Sequence, residues 1–271
     1  MMCLIPIICK NKMLKLQPMK KLILYVSTFL VISSMSSCDV LNELAKQPGI
    51  GNVGNIKIPL SNDEVIKGLK NALSVGIDSS VFSLSRVNGY LGNELIKLAL
   101  PPEAQPIVSN LAKIPGGQKL LNDAILAINK AAEDAAPQAK TIFVNSITNM
   151  SIQDGFNILK GNQNAATVFL KNNTYQQLID AFAPKISTSL SKPLVLGYSA
   201  ETAYKNLIDG YNLASVNGML FPQVKQNSLA TYTTQKALDG LFIKLEQQEK
   251  LIRQDPLHQV TDILKRVFGG K

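Results

Sequence analysis

Ser61-Asn62-Asp63-Glu64-Val65-Ile66-Lys67-Gly68-Leu69-Lys70-Asn71-Ala72-Leu73-Ser74-Val75-Gly76-Ile77 is the stretch on which the reading of the fold turns. Ser61 and Glu64 stand three apart, the spacing of a capping box, in which each side chain satisfies the free backbone N–H of the other residue. Val65, Leu69, Leu73 and Ile77 then recur at every fourth position and fall on one helical face. Together they predict a helix over 63–77, and similar start signals and apolar stripes recur down the chain.

Toward the C-terminus, Pro101-Pro102 ends a short predicted helix over 93–100. Pro102 with Glu103 opens the next, because proline at the first helical position gives up an N–H that has no partner anyway. Leu121, Ala124, Ile125, Ile128 and Ala132 form a further stripe, broken or kinked at Pro137, and Ile142, Val144, Ile147 and Met150 carry the pattern on. Ser151 with Asp154 repeats the capping arrangement for a short helix that Gly161 closes through a positive φ. Asn172-Asn173-Thr174 matches a glycosylation acceptor but reads more simply as a turn, with Thr174 and Gln177 capping the helix of Leu178, Ile179, Phe182 and Ile186. Ser199 precedes Ala203, Tyr204, Leu207, Ile208 and Tyr211, and 229–254 is the longest uninterrupted periodic stretch. Asp255-Pro256 starts a last helix with Leu257, Val260, Ile263, Leu264 and Val267. No stretch alternates as a strand does. The expected fold is all-α, a multi-helix bundle of roughly nine to eleven helices packed ridge into groove, with residues 61–271 as a single helical domain.

Upstream of Ser61 the chain changes character. Met19-Lys20-Lys21, the apolar run from Leu22 to Ile32 and the small residues of Met35-Ser36-Ser37-Cys38 have the anatomy of a bacterial lipoprotein signal peptide, cut and acylated at Cys38. The apolar run of roughly 11 residues falls short of the ~20 that span a bilayer. Met19 begins that signal by itself, so 1–37 reads as a signal peptide with an upstream extension, and 38–60 as the acylated cysteine and a flexible tether. Within the tether, Gly49-Ile50-Gly51-Asn52-Val53-Gly54 matches GxGxxG but lacks the preceding strand and following helix of a dinucleotide site, and so reads as empty.

The chain carries a net charge of +9, and the five lysines at 10, 12, 15, 20 and 21 precede Cys38 in a segment without acids, so cleavage there leaves +4. A scattered surplus of that size is not the basic stripe of a nucleic-acid binder. The same cut removes Cys3 and Cys9, which leaves no disulfide framework. About 234 residues rich in Leu, Ile, Val and Ala remain to build an ordinary core.

Several blocks carry a resemblance. They are Asn129-Lys130-Ala131-Ala132-Glu133-Asp134-Ala135-Ala136-Pro137, Ile158-Leu159-Lys160-Gly161, Ala165-Ala166-Thr167, Lys236-Ala237-Leu238-Asp239-Gly240-Leu241-Phe242, Glu249 through Arg253, and Thr261 through Gly269. In order and spacing the chain resembles the domain-of-unknown-function 4197 family over about residues 62–269. The resemblance implies a helical, exported bacterial protein, with or without acylation, and no established activity, cofactor or substrate. The anchor at Cys38 is read from this chain alone, and His258 sits where the family need not have a histidine.

Asn129 and Glu133 lie four apart beside Ile125, Ile128 and Ala132, which places an amide and a carboxylate at the edge of the core. General acid–base work needs a second carboxylate, and Asp134 diverges from Glu133 by about 100° on the helix. Asp154, Glu246, Glu249 and Asp255 are the other candidates. Against catalysis, Glu133 reads as a structural bridge, Asp154 as a helix cap, and Glu249–Arg253 and Glu246–Lys250 as surface pairs. Arg253 can instead turn inward onto Glu133 and lock the last helix to the middle of the bundle. That contact is expected if the family blocks mark one shared site.

The lone His258 and the absence of a GxSxG elbow argue against a Ser-His-Asp triad. One histidine and one acylated cysteine are too few for zinc, so neither a metal nor a cofactor is expected. Tyr175, Phe182, Tyr204, Tyr211, Phe221, Tyr232 and Phe242 read as core rather than a ligand cage. The functional expectation is a non-enzymatic lipoprotein of the bacterial envelope, held to the membrane by palmitate-type acylation of Cys38 and facing the periplasm. It would bind or scaffold a hydrophobic ligand such as a lipid, or an envelope protein, with Asn129, Glu133 and Arg253 as candidate binding residues. The alternative is a carboxylate-dependent enzyme on an envelope substrate, using Glu133 with Asp154 or Glu249.

Overall fold

The capping box at Ser61 forms in full in the computed structural model, which describes residues 61–110, 116–193, 197, 199–216, 218–225, 227–255, 258 and 265–266. Ser61 N–H and Oγ donate to Glu64 Oε2 at 2.9 and 3.0 Å, and Glu64 N–H donates back to Ser61 Oγ at 3.2 Å. The helix it starts, α1 (Asn62–Ser85), runs about two turns past the predicted end at 77. Ser80 explains the difference: it lies on the buried face, where its hydroxyl donates to Gly76 O at 2.7 Å, and Val81 and Leu84 continue the stripe beyond it.

The helix predicted over 93–100 does not form. Asn93 Oδ1 accepts from Leu95 N–H at 3.1 Å, and its carbonyl from Ile96 and Lys97 N–H, a single turn after which the backbone runs free of helix to Leu100. Pro102 opens a short 3-10 turn (Pro102–Ala104) that passes into one helical turn, Gln105–Ser109.

α2 (Gly117–Ala135) and α3 (Gln138–Thr148) meet across Ala136 and Pro137, both in right-handed helical conformation, so the proline redirects the chain without a loop. On α3 the buried residues are Ala139, Phe143 and Ile147, while Val144 faces outward. The expected stripe was wrong at that position.

α4 (Ile152–Lys160) starts at the second capping box, in which Asp154 Oδ2 accepts from Ser151 N–H at 3.1 Å and Oγ–H at 2.6 Å. Gly161, expected at positive φ, is extended at φ −77°. Glycine is needed there for closeness instead, since a Cβ would stand 2.7 Å from Ala165 Cβ and 2.8 Å from Asn157 O.

α5 (Ala165–Leu190) corrects the expected turn at Asn172-Asn173 and cap at Thr174. Both segments are helical, because Asn173 Nδ2 and Thr174 Oγ1 donate to the carbonyls four residues back, at 2.8 and 2.7 Å, and do not compete for the helix's own N–H groups. α6 (Ala200–Ala214) starts at Ser199 as expected, with Thr202 N–H donating to Ser199 Oγ at 3.1 Å. α7 (Leu229–Gln254) has the expected bounds, and at 26 residues it shares its length with α5.

The described residues therefore hold seven helices of two turns or more, fewer than the nine to eleven expected, and no strand. Cys38, the tether with its GxGxxG string, and the stripe at 257, 260, 263, 264 and 267 lie outside the described residues.

α5 stands in the middle of the bundle, against α7, α2, α3 and α4. Its buried residues Ala166, Leu170, Thr174, Leu178, Phe182, Ile186 and Leu190 repeat every four positions. Each step of four advances the face by about 40°, so the buried line winds around the helix and meets different neighbours at different heights. Phe182, Tyr204 and Tyr211 are fully buried, as a core reading requires.

The corrected register on α3 separates two neighbouring substitutions. Phe143→Ala should lower unfolding stability in urea by about 3–5 kcal/mol, and Val144→Ala by no more than about 0.5 kcal/mol. The capping boxes carry a pH signature as well. Hydrogen bonds from the Ser151 hydroxyl and backbone N–H hold the Asp154 carboxyl below its ordinary range, and the Ser61 backbone and hydroxyl do the same for Glu64. A carboxyl lowered in this way stabilises the fold above its unfolded-state pKa, and the contribution is lost as pH falls through the folded value. An NMR titration should find Asp154 changing charge at lower pH in the parent than in Ser151→Ala.

Candidate functional site

The segment after α1 is fixed to the bundle by two residues of α2 and one aromatic plug. Asn129, fully buried, accepts from Leu98 N–H at 2.9 Å and donates through Nδ2 to Leu98 O at 2.8 Å. The amide thus satisfies both backbone groups of an extended residue, as a neighbouring strand would. One turn further along α2, Glu133 Oε1 accepts from Tyr90 N–H at 3.2 Å.

The Tyr90 side chain passes inward to α7, where its hydroxyl donates to Ala237 O at 2.8 Å. Burial, with the Glu133 charge adding, pushes the Tyr90 hydroxyl pKa well up, so it remains a neutral donor. A Cβ on Gly240 would stand 2.8 Å from Tyr90 Cε1, which makes glycine at 240 a condition of the plug. Tyr90 was missed in the sequence, where its only signal is an aromatic among the glycines of Asn88-Gly89-Tyr90-Leu91-Gly92.

A second joint lies at the α4–α5 corner. Glu249 on α7 accepts from Ala166 N–H at 3.0 Å and, through its other oxygen, from Thr167 N–H at 2.9 Å and Thr167 Oγ–H at 2.8 Å. These amides belong to the first turn of α5, so a carboxylate from another helix serves as its cap. Arg253 grips the same carboxylate, Nε at 3.0 Å and Nη2 at 2.8 Å, and Nη2 also donates to Ile158 O at 2.9 Å near the end of α4. The anion faces a helix start and the cation a helix end, the favourable sense for both dipoles. The two side chains are 8 % and 12 % exposed. The pair expected from the i,i+4 spacing is therefore buried and not on the surface, and the Arg253–Glu133 bridge does not form, because Arg253 is taken up by Glu249 and Ile158 O while Glu133 accepts from Tyr90.

Four of the five candidate carboxylates thus have structural partners; the fifth, Glu246, lines the groove described below and forms no ion pair with Lys250. Glu133 holds the Tyr90 backbone, Asp154 caps α4, and Glu249 is ion-paired and fully hydrogen-bonded. Asp255 ends α7, its N–H donating to Leu251 O at 2.8 Å, and its carboxylate lies 3.0 Å from His258 Nδ1. Among the described residues no three His, Cys, Asp or Glu gather to hold a metal, and no helix is long and apolar enough to cross a membrane.

Between the two joints a groove of about 610 Å³ opens, bounded by residues 95–99, the first turns of α5 and the outer face of α7. Leu98, Val168, Phe242 and Ile243 supply its apolar surface, Lys97, Lys171 and Lys236 its cations, and Asp239 and Glu246 its carboxylates. Lys236 is paired with Asp239 at 2.8 Å and Lys97 with Glu94 at 3.6 Å. The Lys171 ammonium lies 5.5 Å from the Phe242 ring centre and 5.7 Å from that of Tyr175.

The family model described as "Protein of unknown function (DUF4197)" matches residues 59–269. The chain belongs to the DUF4197 family. No curated protein and no solved structure matches it. Five of the six blocks noted in the sequence come together at the two joints: Asn129, Glu133, Ala237 and Gly240 with the Tyr90 segment, and Ile158, Ala166, Thr167, Glu249 and Arg253 at the α4–α5 corner, while Thr261 through Gly269 lies almost wholly outside the described residues.

Removing one partner of the buried pair tests this assignment. Glu249→Gln should cost about 3–5 kcal/mol of stability in urea, because it leaves the Arg253 charge uncompensated. Glu133→Gln, which keeps an acceptor for Tyr90 N–H, should cost no more than about 1 kcal/mol.

Proposed function

We propose that this DUF4197 protein is an envelope lipoprotein, anchored through acylated Cys38 and facing the periplasm, that binds a ligand rather than turning over a substrate. The observation behind the binding reading is the division of labour around the groove. Glu133, Asp154 and Glu249 are engaged in holding the fold, whereas the groove between the joints offers apolar surface and, in Lys171, a cation with no carboxylate partner among the described residues; Asp239, paired with Lys236, and Glu246 also line it.

Such a lining suits a hydrophobic molecule with an anionic end, a lipid being the simplest case, since apolar walls with a few placed polar groups characterise small-molecule sites. The carboxylate-enzyme reading has less support, because Glu249 is neutralised by Arg253 and Glu133 lacks a second acid beside it. The signal-peptide anatomy of residues 19–38 supports the anchor.

Native mass spectrometry of the mature protein, released from membranes in mild detergent, tests both parts. The expected result is an acylated polypeptide carrying one further mass that disappears on denaturation and is absent from Ile243→Glu, a substitution that puts a charge in the groove. A single acylated mass under both conditions would remove the retained ligand, and an unacylated Cys38 would remove the anchor.

A further inference from the structure

The loop that follows α6 is closed by one side chain. Asn212 donates through Nδ2 to Val224 O and accepts from Val224 N–H, both at 2.9 Å. Inside it, the buried Ser215 hydroxyl donates to Asn212 O at 2.7 Å and accepts from Gly218 N–H at 2.9 Å, and Leu220 N–H returns to Ser215 O at 3.0 Å. Phe221 packs on Tyr211 with ring centres 4.8 Å apart. These contacts brace the described residues of the loop, and there and in the last turn of α6 large apolar side chains face outward. Leu213 is 76 % exposed, Val216 51 %, Met219 83 % and Leu220 71 %. Val216 also adopts φ +52°, a conformation that β-branched residues avoid. A well-braced loop that bears backbone strain while presenting four such side chains to solvent has the character of a docking element.

We propose that this loop is a membrane-contacting tip that seats Leu213, Val216, Met219 and Leu220 in the interfacial layer of a lipid bilayer. Charge favours lipid as the occupant: from 210 to 238 the chain has no acidic residue, Lys225 follows the tip, and Asp209, one helical turn before Leu213, is neutralised by Lys205. Chain length favours it too. The 22 residues between Cys38 and Ser61 reach up to about 75 Å when extended, more than the width expected of a domain of this size. The tip can therefore meet the bilayer that holds the anchor, whichever face the tether leaves from. The inference rests on the anchored reading for its location and is independent of the ligand assigned to the groove.

The chain contains no tryptophan, so a single one reports on its own site. Leu220→Trp, Met219→Trp and, as an exposed site away from the loop, Ile152→Trp are purified as full-length lipoprotein. They are reconstituted in phosphatidylethanolamine–phosphatidylglycerol vesicles with and without lipid brominated in the acyl chains. The expected result is a blue-shifted emission from both tip tryptophans that is lost to the brominated chains, with neither change at Ile152→Trp. Tip emission as red and unquenched as that of Ile152→Trp would overturn the proposal. A blue shift without quenching would overturn it in favour of a protein contact. The mass of the Cys38 peptide from the same preparation separates the two readings: quenching of an unacylated protein by added vesicles would sustain the tip while removing the anchor.

Discussion

The Glu249 carboxylate is the constraint from which the arrangement of the bundle follows. A buried anion is tolerated only with a full set of donors, and here they come from two separate places: the first-turn amides and a hydroxyl of α5, and the guanidinium of Arg253. Arg253 in turn needs a further acceptor and finds it in Ile158 O of α4. The consequence is positional more than energetic. Charge pairs of this kind return little net stability against an apolar replacement, but they accept only one geometry, and so they register α7 against the α4–α5 corner.

The Asn129 clamp does for the middle of the chain what Glu249 does for its C-terminal half. Residues 93–100 have no helix or sheet to satisfy their backbone, and Asn129 supplies both partners of Leu98 while Glu133 supplies one for Tyr90. With the Tyr90 ring seated against Gly240, the segment lies across α2 and α7 and forms one wall of the groove, and the start of α5, set by Glu249, forms another. The groove is thus a by-product of the two joints.

Helix starts were legible because they are local. Ser61 with Glu64, Ser151 with Asp154, and Ser199 each signal a start within four residues, and all three act as read. The errors arise where a side chain's partner is decided by the helix or by distant chain. Thr174 was read as the cap of a new helix but returns its hydroxyl to the carbonyl four residues earlier, as does Ser80 beyond the predicted end of α1. The turn at Asn93 looks helical, yet its continuation is drawn off by Asn129, 31 positions away from Leu98. For the site, the sequence named Asn129, Glu133, Glu249 and Arg253 as residues that matter and paired Glu249 with Arg253, but it put that pair on the surface and offered Glu133 as the inward partner of Arg253.

By itself the sequence determined the helical class, most helix starts and the family, and it placed Asn129 at the edge of the core, because capping and periodicity are encoded over a few neighbouring positions. Only the tertiary structure decided that the Glu249–Arg253 pair is buried against the α4–α5 corner, that Tyr90 is the plug Gly240 makes room for, and that Leu213, Val216, Met219 and Leu220 share one exposed tip. Each depends on which distant group reaches a side chain first and satisfies it, and four-residue spacing carries no information about that.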